Sequence, residues 1–229
     1  MKNEFLTIVQ ENERFVFGFT EIGFPVNALA NFLQTEKLIF LKQVHSNVIR
    51  TAEHVNPGNP SGDGLILHTP GFVAVIQTAD CVPLFFGSDD GFVAGILHVG
   101  WRGLHLGIEG NLIDTLVDRE HVNLGKTWFF MGPAIERDCY PVGEQVRHAF
   151  QDKHFAATVF SPLPDATPAR AFLFDLKRAI SLSLQEKGIR PQQISDSRLC
   201  TFCLPDRFPS YRRDNKTGKR IYNFIKIKN

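Results

Sequence analysis

The sequence lacks the features that identify several broad classes of protein. No stretch of its 229 residues approaches the roughly 18–20 consecutive apolar residues of a membrane-spanning helix. Acidic residues near the start interrupt the apolar stretch that a signal peptide needs. The formal net charge is only +1, which gives no electrostatic basis for binding nucleic acid or a membrane surface. We therefore expect a cytoplasmic protein that binds neither nucleic acid nor membranes.

Cysteine is also scarce. The four cysteines are Cys81, Cys139, Cys200 and Cys203, and all of them should be reduced in the cytoplasm. Cys200 and Cys203 form a C-x-x-C pair, but no second pair completes a zinc site and no thioredoxin-like strand and helix surround it. We interpret this pair as structural.

Regular alternation of strands and helices is missing, which argues against a Rossmann or TIM-barrel fold. Strand-like runs occur at RFVFGFT, LIFLKQVH, GFVAVIQT, VPLFF, GFVAGILH, TWFFMG and IYNFIKIK. Tryptophan and tyrosine are few, whereas phenylalanine occurs 21 times, which predicts a core packed largely by phenylalanine. An α+β fold is the best interpretation.

Helical patterns are fewer than strand patterns. One helix is predicted between Leu104 and Asp118, a second over VGEQVRHAFQ, and a third from an N-cap at Asp175 to a stop at Gly188. The segments NPGNPSGDG and SPLPDATPAR are too short for linkers and are predicted to be surface loops. We therefore expect residues 1–229 to form a single domain.

Three side chains that bind transition metals lie at predicted strand ends. His45 ends LIFLKQVH, Cys81 follows a run that ends near Thr78, and His98 ends FVAGILH. One thiolate and two imidazoles can bind zinc and leave a fourth position open for water. The separations of 36 and 17 residues are too long for a zinc finger and favour a site assembled by the fold. A buried structural cysteine and two surface histidines are the alternative.

Polar residues beside these positions suggest further roles. Asp80 precedes Cys81 and is either an acceptor that orients a ligand or tunes a bound water, or a turn residue. Arg102, just before a predicted helix, would bind an anion such as phosphate together with free N–H groups at the helix start, or is an ordinary surface arginine. The basic segment SYRRDNKTGKR is either a solvated hairpin or a cover in which Tyr211 and Arg212 close a pocket.

Seven short motifs follow one another from about Lys42 onward: KQVHS, DGLIL, TADCVPLFF, HVGWRG, MGPAIERDCYPVG, FDLKRAI and SYRRDNKTGKR. In sequence and in order they resemble the YfiH-like family. This family is described variously as laccase-domain or multicopper polyphenol oxidase proteins, as peptidoglycan editing factors and as purine nucleoside phosphorylases. The resemblance implies an α+β domain of mixed β-sheets flanked by helices.

By this resemblance the family's metal ligands correspond to His45, Cys81 and His98. Two positions depart from the family pattern: Val99 stands where alanine is frequent, and Ala134 stands where cysteine is frequent. Because Ala134 can neither bind a metal nor act as a nucleophile, a mechanism that needs a cysteine at that position is excluded for this chain.

The activity implied by the resemblance is metal-dependent chemistry on purine nucleosides, with zinc as the expected metal and copper as the alternative. It comprises phosphorolysis of adenosine, inosine, guanosine and methylthioadenosine, and deamination of adenosine by a metal-activated water. The expected partners are nucleosides and phosphate. The candidate catalytic residues are Cys81, His98 and Asp80. The candidate phosphate-binding residues are Arg102, Arg212 and Arg213.

Other functions compete with this interpretation. Copper-dependent phenol oxidation needs several coppers and closely spaced His-x-His pairs, and the sequence contains no such pair. A cysteine hydrolase that edits peptidoglycan precursors would use Cys81 as nucleophile and His98 as base, and would need no metal. A non-catalytic binding module is disfavoured because the motifs concentrate on reactive side chains.

Overall fold

A computed structural model of the protein describes residues 5–11, 13–34, 37–55, 60–89, 92–167 and 170–228. Within these ranges the chain forms three β-sheets and several short helices, which confirms the predicted α+β class. No helix in the described ranges is long and apolar enough to cross a membrane.

Two large sheets form the centre of the fold, with strands numbered in chain order. The first has five strands, in the spatial order Leu6–Glu11 (β1), Phe15–Thr20 (β2), Ile221–Ile227 (β14), Val73–Thr78 (β6) and Leu38–Ile39 (β3). The second has six, in the order Ile194–Asp196 (β13), Thr127–Met131 (β9), Val82–Ser88 (β7), Ala94–Val99 (β8), Gly64–Leu67 (β5) and Ile49–Thr51 (β4). Both sheets are mixed: β3 pairs with β6, β4 with β5 and β13 with β9 in parallel, and the other pairs are antiparallel.

Smaller elements surround these sheets. A three-stranded sheet has the order Pro141–Val142 (β10), Arg170–Phe174 (β12) and Phe160–Thr167 (β11). The α-helices are Leu29–Phe32 (α1), Trp101–His105 (α2), Ile108–Asp118 (α3), Glu144–Ala149 (α4), Ala156–Val159 (α5) and Leu176–Glu186 (α6). The 3₁₀ helices are Val26–Ala28, Ala52–His54, Leu124–Lys126, Arg137–Cys139 and Pro191–Gln193.

Apolar side chains pack the large sheets face to face. The inner faces of β2, β5, β6, β7, β8 and β14 contribute residues such as Phe17, Phe85 and Ile225 to one cluster. The other face of the six-stranded sheet packs against α3 and α6, and the other face of the five-stranded sheet packs against α1. Phenylalanine supplies most of the largest fully buried side chains, as the composition predicts. The fold therefore has two central β-layers with helices outside them.

Three local predictions differ from the structure. LIFLKQVH forms a strand only at β3, because the side-chain amide of Gln43 bonds the backbone N–H and C=O of Gln77 in place of a continuing strand. The helix predicted between Leu104 and Asp118 is two helices, α2 and α3, separated at Gly107, whose φ of 77° belongs to the left-handed region that favours glycine.

The third difference is the proline-rich segment SPLPDATPAR. Its residues up to Thr167 lie in β11 rather than in a loop. Because β11 is an edge strand, proline removes no hydrogen bond that the sheet needs. Of the other predicted loop, residues 56–59 lie outside the described residues. The N-cap at Asp175 is as predicted: its carboxylate accepts a hydrogen bond from the backbone N–H of Arg178 at 2.9 Å.

Candidate metal centre and active site

The three predicted ligands lie together at one end of the large sheets. One donor atom from each of His45, Cys81 and His98 lies within 4.8 Å of the other two. The Sγ atom of Cys81 is 3.9 Å from Nε2 of His45, and the two imidazole rings meet edge to face with their centres 4.8 Å apart. The chain thus gathers one sulfur and two nitrogens that are distant in sequence.

Neighbouring strands position two of these ligands. Cys81 immediately precedes β7, and His98 is the penultimate residue of β8, which pairs antiparallel with β7. His45 follows the short β3 in a turn and has a φ of 58°, a conformation that is uncommon for residues other than glycine. The sequence suggested that a strand ends at His45. In the structure, surrounding contacts rather than a strand hold its backbone.

Gly100 provides the space in which the ligands meet. A Cβ atom at this position would lie 2.9 Å from the Sγ atom of Cys81 and 3.1 Å from Cδ2 of His45. Contacts that short push the neighbouring atoms apart. The glycine between β8 and α2 is thus required by the close approach of Cys81 and His45.

Asp63 is fully buried and forms hydrogen bonds with two of the predicted ligands. Its Oδ1 atom accepts hydrogen bonds from Nδ1 of His98 at 2.8 Å and from the backbone N–H of His45 at 3.0 Å. Its Oδ2 atom accepts bonds from the backbone N–H groups of Val44 and Ser46 and from the Ser46 hydroxyl. One carboxylate therefore fixes both the turn that carries His45 and the ring of His98.

The charges of these groups depend on one another. Burial alone would raise the pKa of Asp63, but the hydrogen bonds from His98 and Ser46 lower it to about 2. Burial would likewise lower the pKa of His98, but the charge of Cys81 and the bond to Asp63 raise it to about 9. Burial opposes a Cys81 thiolate, yet His98 and His45 lower the pKa of that thiol to about 6. The environment therefore favours the thiolate, which is the form of cysteine that binds metals.

The donor set fits a zinc ion. Two donors on one tetrahedral zinc are separated by about 3.5 Å, given bond lengths of about 2.3 Å to sulfur and 2.0 Å to nitrogen, close to the observed 3.9 Å between Cys81 and His45. Because Nδ1 of His98 is bonded to Asp63, its Nε2 atom is the free donor. A carboxylate behind a histidine ligand is the arrangement that metal sites commonly use to orient the ring. The same set of donor atoms can also bind copper.

Asp80 lies beside Cys81 but faces other partners. Its carboxylate accepts hydrogen bonds from the Thr201 hydroxyl at 2.7 Å, the Ser210 hydroxyl at 3.1 Å and the backbone N–H of Arg212 at 2.7 Å. Its φ is 92°, a backbone conformation that is uncommon for residues other than glycine. The sequence left Asp80 open as an acceptor that orients a ligand or tunes a bound water, or as a turn residue. In this geometry Asp63 bonds the candidate ligand His98, whereas Asp80 bonds the segment 199–213.

The three arginines considered for phosphate have different surroundings. Arg102 is exposed, lines the cavity and stacks on Trp101. It lies within α2 rather than before a helix, and α2 has only five residues. Arg212 also lines the cavity and donates to the backbone carbonyl of Pro141 at 2.6 Å.

Arg213 does not reach the cavity lining. Its guanidinium group donates to the backbone carbonyls of Thr201, Phe202 and Phe208, and pairs with Asp214. These bonds occupy its donors and bind the basic segment to the fold. Arg213 is thus placed as a structural residue, in contrast to the sequence-based expectation.

A cavity of about 460 Å³ opens over the ligands. His45, Cys81 and His98 lie in its wall together with three aromatic side chains, Trp101, Tyr140 and Tyr211, and three arginines, Arg102, Arg212 and Arg220. This volume is in the range of small-molecule sites. The cavity therefore combines a metal-binding donor set, flat apolar surfaces and positive charge.

Several of these residues were missed from the sequence. Asp63 stands at the head of the DGLIL motif, which was identified only as part of a resemblance. Tyr140 and Arg220 lie in the motifs MGPAIERDCYPVG and SYRRDNKTGKR, but nothing in the sequence assigns either of them to the cavity, to which only the fold brings them. Burial and the charges of Cys81 and Asp80 raise the pKa of Tyr140 above its usual range, so its hydroxyl remains protonated and able to donate a hydrogen bond.

Known proteins resemble the chain over most of its length. Residues 26–228 match the family described as multi-copper polyphenol oxidoreductase laccase. A protein of Rickettsia prowazekii named purine nucleoside phosphorylase is 30% identical over 205 residues, which cover 90% of this chain and 82% of that protein. YlmD of Geobacillus stearothermophilus, also named purine nucleoside phosphorylase, is 32% identical over 201 residues, which cover 83% and 72%.

The folds of two solved structures superpose on nearly the whole chain. YfiH of Bacillus licheniformis superposes with a TM-score of 0.88 at 25% sequence identity, and the match covers 97% of this chain and 96% of that one. The structure of YlmD from Geobacillus stearothermophilus superposes with a TM-score of 0.81 at 26% identity, covering 97% and 99%.

Proposed function

We propose that this chain, which belongs to the family described as multi-copper polyphenol oxidoreductase laccase, is a zinc-dependent purine nucleoside phosphorylase of the cytoplasm that also deaminates adenosine. Its substrates would be adenosine, inosine, guanosine and methylthioadenosine, with phosphate. The observation that carries the proposal is the cavity in which His45, Cys81 and His98 converge beneath aromatic rings and arginines. Relatives named purine nucleoside phosphorylase support the same reaction class.

Each part of the cavity has a chemical task in this reaction. A zinc ion held by His45, Cys81 and His98 would supply a Lewis acid. Trp101, Tyr140 and Tyr211 offer flat surfaces on which a purine stacks, an interaction worth about 1–3 kcal/mol per base. Phosphorolysis also needs phosphate held against the sugar carbon. A guanidinium group can bind two phosphate oxygens at once through two parallel N–H···O hydrogen bonds.

The arginines at the rim are the candidates for that phosphate. Arg102 and Arg212 both line the cavity, and Arg212 is oriented by its bond to the Pro141 carbonyl. Arg220 lines the cavity as well and replaces Arg213 in this proposal. Asp63 takes no part in the bond changes: it keeps the proton on Nδ1 of His98, so that the lone pair of Nε2 is free to bind a metal.

A product assay tests the proposal. Zinc-loaded protein with inosine and phosphate should release hypoxanthine and ribose 1-phosphate, and Cys81→Ala should abolish this while it stays folded, because the small side chain removes the thiolate ligand. His105→Ala is a matched control, since His105 is exposed and does not line the cavity. If no tested nucleoside releases its base with metal-loaded protein, or if folded Cys81→Ala is fully active, the proposal fails.

One observation favours a second candidate, the cysteine hydrolase. Cys81, His98 and Asp63 form a nucleophile, base and carboxylate in series, with 2.8 Å between His98 and Asp63. A hydrolase of this kind works without metal, so activity on peptidoglycan precursors that survives removal of all metal would favour it. The absence of any His-x-His pair argues against phenol oxidation by several coppers.

A further inference from the structure

A second cluster of thiols lies outside the cavity lining. Cys139, Cys200 and Cys203 each place their sulfur within 4.8 Å of the other two, and the sulfurs of Cys139 and Cys203 are 3.2 Å apart. All three are free thiols. The C-x-x-C pair, which stood alone in the sequence, thus gains a third cysteine from a distant segment.

The backbone brings these cysteines together from two segments. Cys139 ends the 3₁₀ helix Arg137–Cys139. Cys200 forms an isolated β-bridge with Ala134, in the segment before that helix. The chain then turns, so that the N–H of Leu204 donates a hydrogen bond to the carbonyl of Cys200 at 3.2 Å. Cys200 is buried, Cys139 is half-buried and Cys203 is exposed. The cluster is therefore fixed on its inner side and open to solvent on its outer side.

The polar groups around the cluster favour negatively charged sulfur at its centre. Backbone N–H groups of Glu136, Cys203 and Phe202 form hydrogen bonds with the sulfur of Cys200; burial would raise its pKa, but these bonds lower it. A C-x-x-C turn that points its own N–H groups at its first sulfur stabilises a thiolate. Conversely, burial and the neighbouring sulfurs raise the pKa of Cys139 above its usual range. Three sulfurs this close together can all be thiolates only when a cation lies among them.

We propose that Cys139, Cys200 and Cys203 bind a second zinc ion, separate from the one expected at His45, Cys81 and His98. An all-sulfur donor set selects thiophilic ions such as zinc and excludes magnesium and calcium, which take oxygen ligands. The fourth position of a tetrahedral site faces solvent beside Cys203, where water completes the coordination. This proposal rests on the thiol geometry alone and does not depend on the proposed nucleoside chemistry.

The position of this site gives it a structural task. Tyr140, which lines the cavity, follows Cys139 directly, and Thr201, whose hydroxyl bonds Asp80, lies between Cys200 and Cys203. A zinc ion would join the segment before β10 to the segment 199–213, and would thereby fix two walls of the cavity from outside. Metals that link distant segments stabilise the folded state because the assembled site is absent from the unfolded chain.

Counting bound zinc by native mass spectrometry tests the proposal. The full chain, reduced and stripped of metal, should bind two zinc ions after zinc is added back. Cys203→Ser and Cys81→Ala should each bind one, since each removes a ligand from a different site. Cys203 is exposed, so its replacement by serine should leave the fold intact, and circular dichroism checks this. Cys139→Ser provides a second variant of the same site.

Cobalt(II) gives an independent signal in the Cys81→Ala background. Thiolate ligands produce intense charge-transfer absorption with cobalt, and this absorption should appear in Cys81→Ala and disappear when Cys139→Ser is added. The proposal is overturned if the full chain binds only one zinc ion and the Cys203→Ser variant still binds that ion. A Cys139–Cys203 disulfide that forms in zinc-saturated protein would also overturn it, because bonded sulfurs are not thiolate ligands.

Discussion

Asp63 and Asp80 are two buried aspartates near the candidate metal centre, and they bond different parts of the chain. Asp63 binds the turn of His45 and the ring of His98, which lies in β8. Asp80 binds Thr201, Ser210 and Arg212, all in an irregular segment far along the chain. The first carboxylate thus fixes the candidate metal ligands, and the second fixes the wall of the cavity that carries Arg212.

This difference shows that proximity in sequence is a poor guide to function here. Asp80 adjoins Cys81 yet bonds none of the three ligands, whereas Asp63 is distant from His98 in sequence and bonds it directly. A buried carboxylate that accepts several hydrogen bonds is costly to alter whichever role it has. The two roles are separable because one should control metal affinity and the other should control substrate affinity.

Asp63→Asn should have the largest effect. An amide cannot accept all the bonds that the carboxylate accepts, and its NH₂ group would face backbone donors. We expect zinc affinity to fall about 10- to 100-fold and the free energy of unfolding to fall by about 3–5 kcal/mol. Zinc titration and thermal unfolding measure the two effects, and zinc binding as tight as in the unaltered protein would contradict the role of Asp63.

Asp80→Asn tests the other half of the comparison. Loss of hydrogen bonds to a buried charged group should lower the free energy of unfolding by about 2–3 kcal/mol. The zinc content should stay the same, while KM for nucleoside and phosphate rises because the segment carrying Arg212 loosens. The same zinc titration is the control for both aspartates. A loss of zinc equal to that of Asp63→Asn would show that the two carboxylates do not have separate roles.

Arg102→Ala sharpens the assignment of the rim. Phosphorolysis must bind phosphate, whereas deamination uses none. Because Arg102 is exposed, we expect a loss of about 1.5–2 kcal/mol, from the lower part of the range for charged contacts, or about ten- to thirtyfold in phosphorolysis at low phosphate. Titration of phosphate in both reactions measures this, with the exposed Arg147→Ala as control. Equal losses in both reactions would place Arg102 at the nucleoside instead.

Arg207→Gln should have the smallest effect. Arg207 lies within the segment that Asp80 holds and pairs with Glu21, and a partly exposed pair contributes about 0–1 kcal/mol. The bond from Arg207 lowers the pKa of Glu21, so the contribution is complete above the ordinary glutamate pKa of about 4.3. It is lost as the pH falls through the lowered value. Urea unfolding from pH 3 to pH 7 should show the two proteins converging at the acidic end.

Local patterns in the sequence predict the strands well and the site only in part. The runs for β2, β6, β7 and β8 are mostly apolar because these strands are buried on both faces, whereas β14 is indicated by alternating side chains. The ligands are indicated by motifs, but the turn of His45 depends on bonds to Asp63 that no local pattern contains. The third cysteine of the thiol cluster likewise belongs to a segment far from the C-x-x-C pair, so only the tertiary fold reveals it.

The position of β14 governs the order in which the protein can be assembled during synthesis. This strand is the last in the described chain, yet it lies inside the five-stranded sheet, between β2 and β6. The ligands and Asp63 are all made within the first hundred residues, and Asp80 with them, but its partners and β14 emerge later. On a ribosome, the candidate metal ligands therefore emerge while β2 and β6 still have unpaired edges, which are templates for aggregation. The five-stranded sheet is complete only after β14 has inserted between these two edges, so both edges stay open until almost the whole described chain has been made.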